Sequence, residues 1–417
     1  MDTKKIYVSM EQAHKTVLVG TIWFHFRGGK QSASFEYSRT WLDSAESFAL
    51  EPALKLSAGA YHTADNRLIF GAIGDSAPDR WGRTLMRRAE STRAADAGQT
   101  ARTLTEMDYL LGVSDEGRQG ALRFSEEPSG PYLALPAANA IPPFIDLPKL
   151  LSASENYMES TEDLRLLLAP GSSLGGARPK ALVRDRDGSL AIAKFPKEDD
   201  GFNIVVWESV ALRLAAMAGI SVPRWRVEYV LKKPVLLVTR FDRTGNGGRI
   251  PFLSAMSMLG ALDNEQHSYL EMAYALEQYG AEPQRDLAEL WRRIVFNVLI
   301  SNTDDHLRNH GFLYSRYGGW ELSPIYDVNA APAGIKPRFL STSINFADNA
   351  ASLDLALSVA PDFRLTEQKA CAIAGEVAKS VVQWQEVAKA IKAPKSEMDF
   401  MSSAFTHHDL EQAARMF

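Results

Sequence analysis

The chain changes its dominant hydrophobic period near Arg243. Upstream, short apolar runs mostly alternate at every second residue; downstream, apolar residues recur at steps of three and four. Val17 to Phe26 reads as a strand, and a second alternation at Phe35 and Tyr37 follows the Gly28-Gly29 turn signal. Arg67 to Gly71 reads as another short strand, after which Gly74 to Glu90 passes from a turn into a basic helix. Beyond Arg243, the run RDLAELWRRIVFNVLI sets Leu287, Leu290, Trp291, Ile294, Val295 and Val298 on one broad apolar face. A later helix carries Ile373, Val377, Val381, Trp384 and Ile391 on a similar stripe, and both stripes read as core. An α+β chain is therefore expected, with a β-rich beginning and an almost wholly helical remainder.

With 417 residues the chain exceeds one ordinary core and should form two or three packed units. Pro128, Pro131, Pro136, Pro142, Pro143 and Pro148 crowd one stretch and the turn TGNGG follows Arg243, which suggests divisions at 1–135, 136–243 and 244–417. The 46% apolar and 23% charged composition argues against extensive disorder. A net charge of −5 and pI near 6.0 do not fit a nucleic-acid coat or a membrane-surface patch. The amino terminus lacks the apolar core of a signal peptide, and no segment approaches the roughly 18 apolar residues of a membrane span, so a cytoplasmic protein is expected. The single cysteine, Cys371, precludes a disulfide framework or a Cys-based zinc site within one chain and reads as a small core residue.

The helix ending near Ile300 delivers the chain into NTDDHLRN, residues 302–309, and SPIYDVN follows at 323–329. Asp304 stands five residues before Asn309, and Asp327 stands eighteen beyond it. That order suits phosphoryl transfer: one carboxylate orients an attacking hydroxyl, while an amide oxygen and a second carboxylate offer hard ligands to Mg²⁺. Asp and Asn also gather in turns, and Asp305 with His306 could form a transition-metal site. The rest of the chain must decide.

The Gly-rich loop GSSLGGARPK, residues 171–180, precedes a strand and has Ala177 after Gly176, so it fails as a phosphate-binding loop of the GxxxxGK[ST] type. It fits a Gly-rich loop between strands, with Gly175 and Gly176 near the phosphates and Lys194 on a following strand. Residues 181–196 read as a hairpin turning at Asp187-Gly188, with Leu190, Ile192 and Lys194 on one face. A lysine among apolar neighbours needs an anion. Glu208, read as starting the next helix, is either its partner or a solvated residue of a first helical turn. PVLLVTRFDR, residues 234–243, reads as a buried strand running into a hinge, where backbone groups of Thr239, Arg240 and Phe241 could meet an adenine edge.

Four motifs in this order, SSLGGARPKAL, AIAKFP, VTRFDR and NTDDHLRNHGFL with SPIYDVN, closely resemble the HipA-like serine/threonine kinases, the toxins of bacterial type II toxin–antitoxin modules. DSAPDRWGR at 75–83 is similar to a signature of that family's N-terminal subdomain. The resemblance implies a bilobal protein-kinase-like fold using ATP and Mg²⁺. It implies Asp304 as base, Asn309 and Asp327 as Mg²⁺ ligands, Lys194 on the ATP phosphates, and Lys180 with Gly175 and Gly176 covering them. His306 and Tyr326 would line the nucleotide site, and Ser173, or its neighbour Ser172, would be autophosphorylated. Implied partners are a helix-turn-helix antitoxin of the HipB-like type, DNA only through that antitoxin, and a protein substrate such as an aminoacyl-tRNA synthetase; no membrane partner is implied. Two alternatives stay open: a small-molecule or lipid-head-group kinase, and a non-catalytic antitoxin-binding corepressor.

Overall fold

The computed structural model describes residues 2–12, 15–133, 141–156, 160–168, 176, 178–197 and 200–416. The chain forms two compact units, Met1–Lys197 with Tyr229–Leu253, and Glu198–Glu228 with Ser254–Phe417. The expected break between residues 135 and 136 lies outside the described residues.

The first unit opens with a five-stranded antiparallel sheet ordered β4-β3-β2-β1-β5, from β1 (Asp2–Gln12), β2 (Lys15–Arg27), β3 (Lys30–Tyr37), β4 (Ala60–His62) and β5 (Leu122–Ser125). Gly28 and Gly29 take φ of +54° and +77°, the left-handed pair that a two-residue hairpin needs, and Arg27 pairs with Lys30 across the turn. Ile6, Val8, Ile22, Phe24 and Phe35 are fully buried, whereas the intervening residues of β1 include Lys5 and Tyr7. The strand expected at Arg67 to Gly71 does not form: Arg67 donates to Ala64 in a turn, Gly71 opens a short helix, and the β4 edge falls at Ala60–His62.

A second sheet is ordered β6-β7-β9-β8, with β6 (Lys180–Arg184), β7 (Leu190–Lys194), β8 (Trp225–Val230) and β9 (Lys233–Thr239); of β8, Tyr229 and Val230 belong to this unit. The expected hairpin is β6-β7, turning at Gly188 with φ +82°. Its faces differ. Ala191, Ala193 and Phe195 pack into a core with Val183, Leu237, Leu150, Leu167 and Trp81, while Leu190 and Ile192 gather with Leu182 and Ile141.

The second unit is largely helical. Its central helix, Pro283–Leu299, buries Leu287, Leu290, Trp291, Ile294, Val295 and Val298 completely. The helix Ile204–Met217 ends before Gly219, whose φ is +76°, and its Trp207 packs on Trp384 and Phe405. Two expectations need correcting. This part is not wholly helical, since β10 (Gly311–Tyr314) and β11 (Trp320–Leu322) pair antiparallel across a Gly318-Gly319 turn. The late stripe is two helices, Glu367–Val381 and Trp384–Ala390, broken where Val382 is exposed; Cys371 is half-buried on the first. No helix among the described residues is long and apolar enough to cross a membrane.

Candidate functional site

In the second unit, Leu299 ends the central helix and Ser301 turns the chain with φ +54°. The loop that follows hangs on Asp305. Its carboxylate is buried and accepts from the Tyr269 hydroxyl, from Asn297 Nδ2 at 2.7 Å and from His310 Nε2 at 2.7 Å. Burial alone would raise this carboxyl, but the His310 charge and the His310 and Tyr269 hydrogen bonds outweigh it and hold Asp305 below the usual carboxylate range. Burial and the Asp305 charge push the Tyr269 phenol far up, so Tyr269 remains a donor. The Asp305 carbonyl accepts from Thr342 Oγ1 at 2.7 Å. Asp305 is therefore the loop's anchor, not half of a transition-metal pair with His306.

Asp304, one residue earlier, points outward: its side chain is 66% exposed against 4% for Asp305. Lys336 Nζ lies 3.1 Å from its Oδ1, a solvent-screened contact. Asn309 Nδ2 donates to the Asp304 carbonyl at 3.1 Å, and the buried Asn309 Oδ1 has no hydrogen-bond partner among the described residues. An orphaned amide oxygen is costly in a finished core, and such groups gather where a ligand is to be met. Thr303 Oγ1, His306 Nδ1 and Asn329 Oδ1 share this condition.

The later segment is stitched back onto the loop on both sides of Asp327. Tyr326 donates from its hydroxyl to the Arg308 carbonyl at 2.9 Å, and Ala331 N–H donates to Ser301 O at 3.1 Å. Asp327 itself takes φ +57°, a left-handed conformation that costs a non-glycine residue and concentrates at functional positions. The second unit thus bonds the segment that carries Tyr326 and Asp327 to the loop that carries Asp304, His306 and Asn309. Glu208 is buried in the second turn of its helix, so it is neither a first-turn nor a solvated residue.

In the first unit, Lys194 closes β7 opposite Lys180 on β6 and Leu236 on β9, and shares its face with Ile192 and Leu190. Thr239 ends β9 opposite Ala191. Arg240 differs from expectation: its N–H donates to Leu190 O at 2.8 Å and is not a donor for a base. Its guanidinium turns inward, with Nε 2.7 Å from Asp242 Oδ1 and Nη1 3.0 Å from Gly117 O. Burial would raise the Asp242 carboxyl, yet the Arg240 and Arg243 charges hold it far below the carboxylate range. Phe241, half-buried, packs its ring against Phe252 at 6.3 Å. Lys180 is also turned inward, onto Asp79 at 2.7 Å, and is not presented as a phosphate ligand. Gly176 is described; Ser172, Ser173 and Gly175 lie outside the described residues.

Sequence reasoning missed Tyr269 and the anchoring roles of Asn297, Asp305 and His310. One signal existed, since Asn297 is an amide among the apolar residues of the central helix.

The family model of the HipA-like C-terminal domain matches residues 172–385, just over half of the chain. The chain belongs to the HipA-like family. Among its relatives, a Sinorhizobium fredii protein named "Putative kinase Y4mE" is 25% identical over 324 residues, spanning 70% of this chain and 71% of that protein. The same description, without the suffix, belongs to a Haemophilus influenzae protein 28% identical over 187 residues, which cover 39% of this chain and 54% of the relative. Among solved structures, HipA in the Shewanella oneidensis MR-1 complex with HipB and operator DNA superposes with a TM-score of 0.66, covering 98% of this chain and 97% of that one at 16% identity. That likeness establishes a common fold.

Proposed function

We propose that this chain is an ATP- and Mg²⁺-dependent serine/threonine-protein kinase of the HipA-like toxin class. The observation that carries the reading is the pairing, within one loop, of an exposed Asp304 carboxylate with a buried, unpartnered Asn309 Oδ1. Asp304 accepts the proton of the acceptor hydroxyl as that oxygen attacks the γ-phosphorus. Asn309 and Asp327 supply the oxygen ligands that suit Mg²⁺, whose chemistry is to neutralise charge on the phosphate oxygens. Lys194 meets the phosphates, His306 and Tyr326 border the nucleotide, and the turn at Thr239 and Phe241 receives the adenine.

The acceptor is a protein hydroxyl, in keeping with family membership; an aminoacyl-tRNA synthetase or another translation component is the target class. A HipB-like helix-turn-helix antitoxin is the proposed partner, supported by the fold shared with a HipA found with HipB and operator DNA. Contact with DNA would run through that partner. Ser173, with Ser172 beside it, is the proposed autophosphorylation site; the added charge, about −1.5 to −2, would repel ATP phosphates and shut the enzyme off.

Intact-mass measurement after incubation with Mg·ATP tests this reading. The wild-type chain should gain one phosphate, and Ser173→Ala should lose that gain. Transfer only to small hydroxyl compounds, with none to protein, would contradict it.

A further inference from the structure

The DSAPDRWGR motif, residues 75–83, has no part in the chemistry above, yet its centre is bonded to the root of β6. Asp79 caps the helix Arg80–Asp96 by accepting from Gly82 N–H at 2.7 Å, and its other oxygen accepts from Lys180 Nζ at 2.7 Å. Trp81 grips the same strand twice. Its indole N–H donates to Lys180 O at 2.9 Å, and its backbone N–H donates to Gly176 O at 3.3 Å. Lys180 Nζ also reaches Gly176 O, at 3.1 Å, so that carbonyl takes two donors. Gly176 holds φ +88°, a conformation that strains any residue with a Cβ.

The Lys180 and Asp79 side chains are only 3% and 5% exposed. Such a pair tolerates the loss of neither partner, because the survivor would be a buried, unpaired charge. Trp81 and Leu85 pack in one core with Ala181, Val183 and Ala193 of the β6-β7 hairpin, so the grip is continuous with the floor of the strand that carries Lys194.

We infer that Asp79 and Trp81 are positioning residues for the nucleotide: acting through Lys180, they clamp Gly176 and the start of β6, and so fix where the β6-β7 strands meet ATP. The consequence for ATP rests on the kinase reading; the clamp rests on geometry alone. Lys180 then serves as the clamp's inward cation.

The test uses the full-length chain with two variants, Trp81→Phe and the double variant Asp79→Asn with Lys180→Met. Trp81→Phe removes the indole N–H and keeps a ring, while the double variant removes both charges together, keeps a good helix cap and avoids a stranded ion. Both should raise KM for ATP about tenfold with little change in kcat, the pattern of binding lost equally from ground and transition states. Amide exchange in the peptide spanning residues 176–184 should quicken in both. Lys180→Arg, which keeps the cation, should retain most of the wild-type KM. Folded variants with unchanged KM and unchanged exchange would overturn the inference. If the wild-type chain transfers no phosphate, the kinase reading falls, and exchange in 176–184 alone decides the clamp: quickening supports it and no change rejects it.

Discussion

The two units secure their motif segments by different electrostatics. In the first, the charged tie at the root of the Gly-rich segment is a buried ion pair, Asp79 with Lys180, with the Trp81 hydrogen bonds beside it. In the second, the NTDDHLRN loop is tied by three donors, Tyr269, Asn297 and His310, converging on the single Asp305 carboxylate. An ion pair concentrates its risk in two groups, whereas a carboxylate with several donors spreads it. The contrast also explains how adjacent aspartates can differ so sharply: Asp305 spends its charge on holding the loop, which leaves Asp304 exposed.

Asp305→Ala should break the second unit's arrangement most severely. It strands three buried donors, and a loss of about 3–5 kcal/mol is expected, the usual consequence of removing one partner from a buried charged cluster. Urea unfolding followed by tryptophan fluorescence would measure it. A change near zero would mean that the donors do not depend on this carboxylate.

Next in size is a difference in pH response. Glu51, in the first unit, is pushed up to about 7 by burial, despite its hydrogen bonds from Ala72 and Gly71. The folded carboxyl therefore keeps its proton to higher pH than the unfolded one. Stability falls as pH rises from the ordinary value of 4.5 through about 7, by about 3 kcal/mol in all. Asp305 has the opposite sign: its folded carboxyl is depressed, so its contribution is present above the ordinary carboxylate range and is lost as pH falls below it. Glu51→Gln should flatten the alkaline limb and leave the acid limb intact. Unfolding curves collected between about pH 2 and pH 9 would show whether the limbs separate in this way.

The smallest expected effect is on the Trp81 grip. Trp81→Phe loses one neutral hydrogen bond and should lower the stability of the first unit by about 1 kcal/mol. A much larger loss, seen by thermal unfolding, would mean that the indole's packing outweighs its bond to Lys180.

Local structure was legible where a turn residue and a period agreed. The β6-β7 hairpin shows both, through Gly188 and the alternation beyond it, and so does the helix ending before Gly219. Elements too short for a period were missed, β10 and β11 among them, and Arg67 to Gly71 looked like a strand because a few apolar residues carry no direction. The motif spacing singled out Asp304, Asn309 and Asp327 as candidates, since they fall within one stretch of chain. What supports them was not legible. Asp305 read as a possible metal partner of His306, and nothing local in the sequence joins it to Tyr269 or joins Asp79 to Lys180, because those contacts arise only from packing. Lys180 was misread for the same reason: its chemistry suits a phosphate, but the fold turns its side chain inward onto Asp79, and the Arg240 N–H expected at a base edge donates to Leu190 O instead.

The central claim is that Asp304 serves phosphoryl transfer while Asp305 serves structure, and one assay tests it most directly. Full-length wild-type protein and Asp304→Asn would be incubated with Mg·ATP, and phosphate incorporation followed in time beside the unfolding midpoint of each. The account predicts a rate lower by about 10²- to 10⁴-fold in Asp304→Asn, with an unchanged midpoint. Equal rates in the two proteins would contradict it.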